Sequence, residues 1–228
     1  MKPLIKLLLP LAALIQFGSL AHAQEALLSA AEKQEGFELL FNGKDLSSWK
    51  NNNGKPIKTG VEDGAIQTYK CGGYVLMHER QFEDFILRCD VKLSAPKTNS
   101  GIFIRLSNPK NPVQNGFEIQ VMGGSGTGRH DFGAIYDLVA PSKNMGRPIG
   151  EWNSVEITCR GAKMSVRVNG EKVSEIDLDA YTEPKKRPDG SKHKFGDIKN
   201  LPRRGHLGFQ DHGSKVWYKN VRIKDLKK

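Results

Sequence analysis

The chain has 228 residues, 38% of them hydrophobic, and a formal charge of +10 at pH 7. That length and apolar content suit one well-buried core and exclude a disordered chain. Its three cysteines, Cys71, Cys89 and Cys159, are too few for a disulfide scaffold, leave at least one thiol free, and form no Cys-x-x-Cys zinc signature.

Residues 1–23 read as a signal peptide. Lys2 and Lys6 give a positive start, an apolar run follows, and Ala21-His22-Ala23 fits an A-x-A cleavage site. The run is short for a membrane span, so the expected product is a periplasmic or secreted bacterial protein with no membrane attachment after cleavage. Residues 24–35 form an N-terminal leader rich in Ala, Glu and Leu, and residues 36–228 form the domain. The excess positive charge collects in residues 185–204 and 215–228. A basic surface can signal nucleic acid. Export argues against that partner, and Lys-rich loops and edges also keep a β protein soluble.

From Gly36 onward the pattern is that of strands. Residues 37–41 form a short apolar one, ended by Asn42-Gly43. In residues 85–93, Phe85, Leu87, Cys89, Val91 and Leu93 share one face, because strand side chains alternate. In residues 101–106 the same alternation places Ile102, Ile104 and Leu106 inward, with Phe103 and Arg105 on the other face. In residues 117–121 it places Phe117, Ile119 and Val121 inward, with Glu118 and Gln120 opposite. Val155, Ile157 and Cys159 continue the theme, as do Met164, Val166 and Val168. Asn169-Gly170 between two alternating runs is a hairpin signal. Residues 206–210 and 216–226 complete the set. Many short strands without a helical period predict an all-β sandwich or barrel. Two long irregular stretches, residues 123–150 and 181–204, are candidate functional loops.

Several motifs carry chemistry. The Gly-rich stretch from Gly123 to Gly128 follows a strand but opens no helix and lacks Gly-Lys-Ser/Thr, so a phosphate cradle does not fit. Glu118 shares a face with Gln120 and, by alternation, with Arg105; an arginine there would keep the carboxylate ionised. Leu207 and Phe209 point to the core, while Gly208, Gln210 and His212 point away, with Asp211 at the turn. An imidazole at a strand end can serve as acid, base or metal ligand. The Asp, His and Glu spacing matches no standard metal motif. No second carboxylate is marked by spacing as a glycosidase partner for Glu118, and no Gly-x-Ser-x-Gly elbow is present.

Taken together, the segments Phe37-Glu38-Leu39-Leu40-Phe41-Asn42-Gly43-Lys44-Asp45-Leu46, Asn99-Ser100-Gly101-Ile102-Phe103-Ile104-Arg105, Gly116-Phe117-Glu118-Ile119-Gln120-Val121, Gly133-Ala134-Ile135-Tyr136, Glu151-Trp152-Asn153, Val168-Asn169-Gly170 and Gly208-Phe209-Gln210-Asp211-His212-Gly213 resemble, in order, the 3-keto-disaccharide hydrolase domain family. One departure is Met122-Gly123-Gly124, where the family pattern leads one to expect an acidic residue. The resemblance implies a concanavalin- or LamG-like jelly-roll β-sandwich with long loops, acting on a small carbohydrate, a 3-keto-glycoside. A ketone at C3 acidifies the C2 proton, so the C1 oxygen can leave by elimination and water can add afterwards. That route needs a base, an acid and an enolate stabiliser. Glu118 and His212 are the expected base and acid, in either order, and Arg105 the expected stabiliser. Gln120, Tyr136, Gln210, Asp211, Phe103 and Asn99 are the expected substrate contacts. No cofactor is certain. A divalent metal that polarises the ketone would suit the chemistry, with Glu118 and His212 as candidate ligands. The rival expectations are a non-catalytic, lectin-like carbohydrate-binding module and a structural or adhesion module.

Overall fold

The computed structural model describes residues 28–227. The expected signal peptide, and the first residues of the leader, lie outside the described residues. The chain then opens on a short helix, Ala30–Glu35 (α1). Ser29 and Glu32 close a capping box at its start, and Gly36 adopts φ 84° at its end, where a side chain would be strained. Glu32 also pairs with Arg222, which ties the helix to the last strand.

Thirteen strands follow: β1 (Glu38–Leu39), β2 (Trp49–Asn51), β3 (Val61–Glu62), β4 (Ala65–Gln67), β5 (Val75–Phe82), β6 (Phe85–Leu93), β7 (Asn99–Leu106), β8 (Phe117–Met122), β9 (Trp152–Arg160), β10 (Lys163–Val168), β11 (Glu171–Asp177), β12 (Gly205–Gln210) and β13 (Val216–Asp225). All pair antiparallel, in two sheets. The larger runs β11-β10-β9-β6-β13-β4-β3 with β1 added on β13, and the smaller runs β2-β5-β12-β7-β8. They face each other as a jelly-roll sandwich, the class expected from the sequence.

The alternation survives folding in most strands. β6 alternates buried and half-buried residues along its whole length. Asn169 and Gly170 take φ 51° and 85° between β10 and β11, the left-handed pair that a tight hairpin turn requires. Side chains from both sheets, among them Ile102, Ile104, Phe117, Ile119, Leu207 and Phe209 from the small sheet and Leu87, Val91, Ile157, Val166 and Tyr218 from the large one, fill a common core. Cys89 and Cys159 belong to that core, and burial pushes both thiols above their ordinary range. Trp49, too, is a core residue, stacked on Phe209.

β7 breaks the pattern. Phe103 pairs with Gly208 and Leu106 with His206, so Ile104 and Arg105 together oppose Leu207 alone. This is a β-bulge, and Arg105 sits in it with φ 49°, a left-handed conformation that an arginine rarely adopts. The bulge inverts the side-chain phase. Leu106, expected beside Ile102 and Ile104, instead packs with Phe103, Val75 and Met77 on the other face of the small sheet.

Arg105, expected on that other face, is turned inward and has 0% exposure. Its Nε donates to Glu83 O (2.9 Å), its Nη1 to Gly161 O (2.8 Å) and its Nη2 to Asp84 Oδ1 (3.1 Å). Glu83 and Asp84 form the β5–β6 turn and Gly161 the β9–β10 turn, so one guanidinium fastens the small sheet to the end of the large one. A buried charge is tolerated only when its partners surround it. Arg105→Met removes the charge, strips the Glu83 and Gly161 carbonyls of their guanidinium donor and leaves Asp84 with only the Gly161 N–H and the exposed Lys227 as partners. It is expected to lower the unfolding free energy by roughly 3 kcal/mol, read as a fall in the urea midpoint at unchanged slope. A midpoint matching the wild type would refute the clamp.

Candidate active site

The outer face of the small sheet carries a cleft lined by Tyr74, Asn99, Val113, Glu118, Gln120, Tyr136, Lys194, Gln210 and His212. Cross-strand register brings its polar groups together. Glu118 on β8 pairs with Phe103 on β7, and Gln120 with Gly101. Gln210 ends β12 beside Val75. Gly101 is the gap that makes this arrangement fit: a Cβ there would stand 2.3 Å from Glu118 Oε1, so the carboxyl group occupies the space that any larger residue would fill.

Glu118 is 8% exposed and its Oε1 accepts from Gln210 Nε2 at 3.0 Å. The same Gln210 Nε2 donates to the Tyr74 hydroxyl at 2.7 Å. Gln120 Nε2 donates to Asn99 Oδ1 at 2.8 Å. Gln120 and Gln210 are each 2% exposed, and neither amide oxygen has a protein partner. Burial pushes the Glu118 carboxyl up to about 7, offset in part by the Lys194 charge and the Gln210 hydrogen bond. Burial, with the Glu118 charge behind it, pushes the Tyr74 phenol up to about 12, so that hydroxyl stays neutral at working pH.

The two long loops build the rest. After β8 the chain folds back on it: Gln120 N–H donates to Ala134 O, Gly133 N–H to Gln120 O and Tyr136 N–H to Glu118 O at 2.9 Å. Tyr136 is therefore held next to Glu118 by backbone pairing, and its ring lies 4.6 Å from that of His130, tilted by 31°. The second loop delivers Lys194, whose Nζ lies 4.0 Å from the Tyr136 ring centroid. His212 follows β12 on an exposed turn, its ring 6.5 Å from that of Tyr74.

Of the residues singled out in the sequence, the structure brings Glu118, Gln120, Asn99, Tyr136, Gln210 and His212 together. Three stand elsewhere. Arg105 is spent on the inter-sheet clamp, so it does not hold Glu118 ionised. Phe103 is fully buried beneath the cleft, 6.2 Å from the Tyr74 ring, as its floor. Asp211 uses one oxygen on Cys71 N–H (3.0 Å) and the other on Gly213 N–H (3.0 Å), and so secures the turns that carry Tyr74 and His212. Tyr74 and Lys194 were not foreseen. Tyr74 had a faint signal, an aromatic after Gly72-Gly73 at the mouth of a strand; Lys194 had none among the many loop lysines. Among the described residues, no three His, Cys, Asp or Glu side chains gather as a metal-binding group, and no helix is long and apolar enough to cross a membrane.

The chain matches the 3-keto-alpha-glucoside-1,2-lyase-like domain family over residues 36–224. It belongs to that family. A 3-keto-disaccharide hydrolase of Bacteroides thetaiotaomicron is 26% identical, over 91% of this chain and 84% of its own length. A Parabacteroides distasonis protein, provisionally assigned as a glycosyl hydrolase, is 30% identical, with a TM-score of 0.75 over 83% of this chain and 99% of its own. A Bacillus subtilis protein of galectin-like fold shares 11% identity and a TM-score of 0.51 over 79% of this chain and 90% of its own, which bears on the fold alone.

The raised carboxyl has a thermodynamic consequence. With the folded value near 7 and an unfolded value near 4.3, the folded state binds the extra proton between them. Stability therefore falls as pH rises through that window. Glu118→Gln is expected to flatten this slope and to make the protein more stable than wild type at pH 8, by on the order of 3 kcal/mol or less. Parallel wild-type and variant stability curves between pH 5 and 8 would contradict it.

Proposed function

We propose that this protein is an exported enzyme that cleaves the glycosidic bond of 3-keto-glycosides, by C2 proton abstraction, elimination at C1 and hydration, for net hydrolysis. The observation that carries this reading is a single carboxyl group, near neutral in its ionisation, among neutral hydrogen-bonding side chains. A glycosidase working through a carboxylate pair needs a second carboxylate about 5–9.5 Å away, and Glu118 is the one carboxylate lining this cleft. A keto sugar needs only a base, because its ketone supplies the acidity. Membership of the family and the name of the Bacteroides thetaiotaomicron relative support the same substrate class.

Ionised Glu118 takes the C2 proton, and the C–H electron pair becomes an enolate on the C3 oxygen. The enolate re-forms the carbonyl, the C1–C2 double bond forms and the C1–O bond breaks. His212, at the mouth of the cleft, gives its proton to the departing alcohol. Water then adds across the double bond to yield the free 3-keto sugar. Gln120, Gln210, Asn99, Tyr74 and Tyr136 hold the remaining hydroxyls, with the Tyr74 phenol neutral and able to donate. A divalent metal bound with this substrate would be held by Glu118 and His212 and would polarise the ketone; nothing in the sequence of steps above depends on it. Export to the periplasm or beyond rests on the first 23 residues.

Purified protein is expected to release the alcohol from a 3-keto-glucoside and leave the parent glucoside intact. Because the base must be ionised, kcat/KM should rise with pH through about 7. Glu118→Gln should reduce kcat by at least about 100-fold, and His212→Ala by about 10-fold or more when the leaving alcohol is poor. Saturable sugar binding without product would mark a lectin-like module instead, and full turnover by Glu118→Gln would remove Glu118 as the base.

A further inference from the structure

We infer that Lys194 supplies the positive charge that faces the enolate oxygen, and that the Asp137–Arg187 pair is the latch that positions it. This rests on the elimination reading above and fills the place that Arg105 leaves empty. Abstraction of the C2 proton puts a full negative charge on the C3 oxygen, in a cleft whose one other proton-carrying cation, His212, stands at the mouth and is committed to the leaving alcohol. Asn99, Gln120 and Gln210 are uncharged amides, burial keeps the Tyr74 phenol neutral, and Lys194 is the one Lys or Arg among the lining residues. Among the described residues its ammonium forms no ion pair, and it sits over the electron-rich face of Tyr136. An ammonium with three donors and no fixed carboxylate is free to meet a developing oxyanion.

The backbone around Lys194 is built rather than loose. Its neighbours on both sides are buried, His193 at 5% exposure and Phe195 at 6%. Phe195 and Ile198 pack into the common core. Asp137 joins the two long loops. Its Oδ2 accepts from Lys194 N–H at 2.9 Å, and its Oδ1 from Arg187 Nη2 at 2.9 Å. Arg187, itself buried, also donates to Asp137 O, Lys192 O and Ser191 Oγ. Asp137 follows Tyr136 directly and takes φ 55°, an uncommon conformation that the latch holds in place. The ring under the ammonium and the carboxylate that grips the Lys194 backbone are thus consecutive residues. Any slip of the second loop would carry the charge away from Glu118.

Three variants separate the parts: Lys194→Met, Lys194→Arg and Arg187→Met, with thermal unfolding to confirm that each is folded. On a 3-keto-glucoside, Lys194→Met should lower kcat about 100- to 1000-fold, the loss typical of one oxyanion donor, with a much smaller change in KM. The acid limb of kcat/KM should move to higher pH, because Glu118 loses a neighbouring cation. Lys194→Arg should recover part of the rate. Arg187→Met should lower kcat in the wild-type background and add little in the Lys194→Met background, since it acts through Lys194. A Lys194→Met enzyme within about threefold of wild-type kcat would overturn the assignment, as would equal, additive losses for Arg187→Met in both backgrounds. If the wild type leaves the keto substrate untouched, the functional reading itself has failed. Carbon-13 NMR titration of the Glu118 carboxyl then decides for Lys194: an upward shift in Lys194→Met upholds its place in the cleft, and an unchanged titration refutes it.

Discussion

One buried guanidinium sets the geometry of the small sheet. Arg105 cannot face solvent-free apolar surroundings without acceptors, and its acceptors stand at the turns of the opposite sheet. Reaching them requires β7 to insert an extra residue against β12 and to place Arg105 at a left-handed φ. That conformation costs energy in isolation, and three hydrogen bonds, one of them also an ion pair, offset it. Downstream of the bulge Leu106 returns to the outer face beside Phe103. Phe103 in turn supports Tyr74, so the floor of the cleft depends on a residue that never touches it.

On that floor the chemistry is governed by where space is left. Gly101 gives Glu118 a place to lie against the sheet, and lying there buries the carboxyl. Burial brings its ionisation close to neutrality, which makes it a competent base without a second acid beside it. The amide of Gln210 is shared between Glu118 and Tyr74, so the base and the neutral phenol are oriented by one side chain. The two long loops then contribute what the sheet lacks, an aromatic wall from one and a cation on a hydrogen-bonded backbone from the other. Asp137 fastens each to the other.

The placement of Arg105 shows how alternation is limited. A period of two predicts faces only while pairing stays in register. In β6, β8, β9 and β10 register is unbroken on the relevant side and the inward residues follow the pattern. In β7 a bulge interrupts it, and no local property of Gly101-Ile102-Phe103-Ile104-Arg105-Leu106 announces the interruption, because the cause lies in turns about 20 and 56 residues away along the chain. Asp211 is a similar case. Beside Gln210 and His212 it looks like a site residue, yet its oxygens are the nearest acceptors for the N–H groups of Cys71 and Gly213, and a satisfied carboxylate has little left for a ligand.

By itself the sequence determined the all-β class, the hairpin at Asn169-Gly170, the inward face of most strands and the family, because each is written in local periodicity, turn chemistry or ordered motifs. It also singled out Glu118, Gln120 and Gln210, whose strand segments keep their phase, and His212 on the turn that follows. Only the tertiary structure decided that Arg105 belongs to the clamp, that Glu118 is held near neutral by burial, and that Tyr74 and Lys194 complete the cleft. Those outcomes depend on which distant turn, loop or missing Cβ stands opposite each residue, and distance along the chain carries no record of proximity in space.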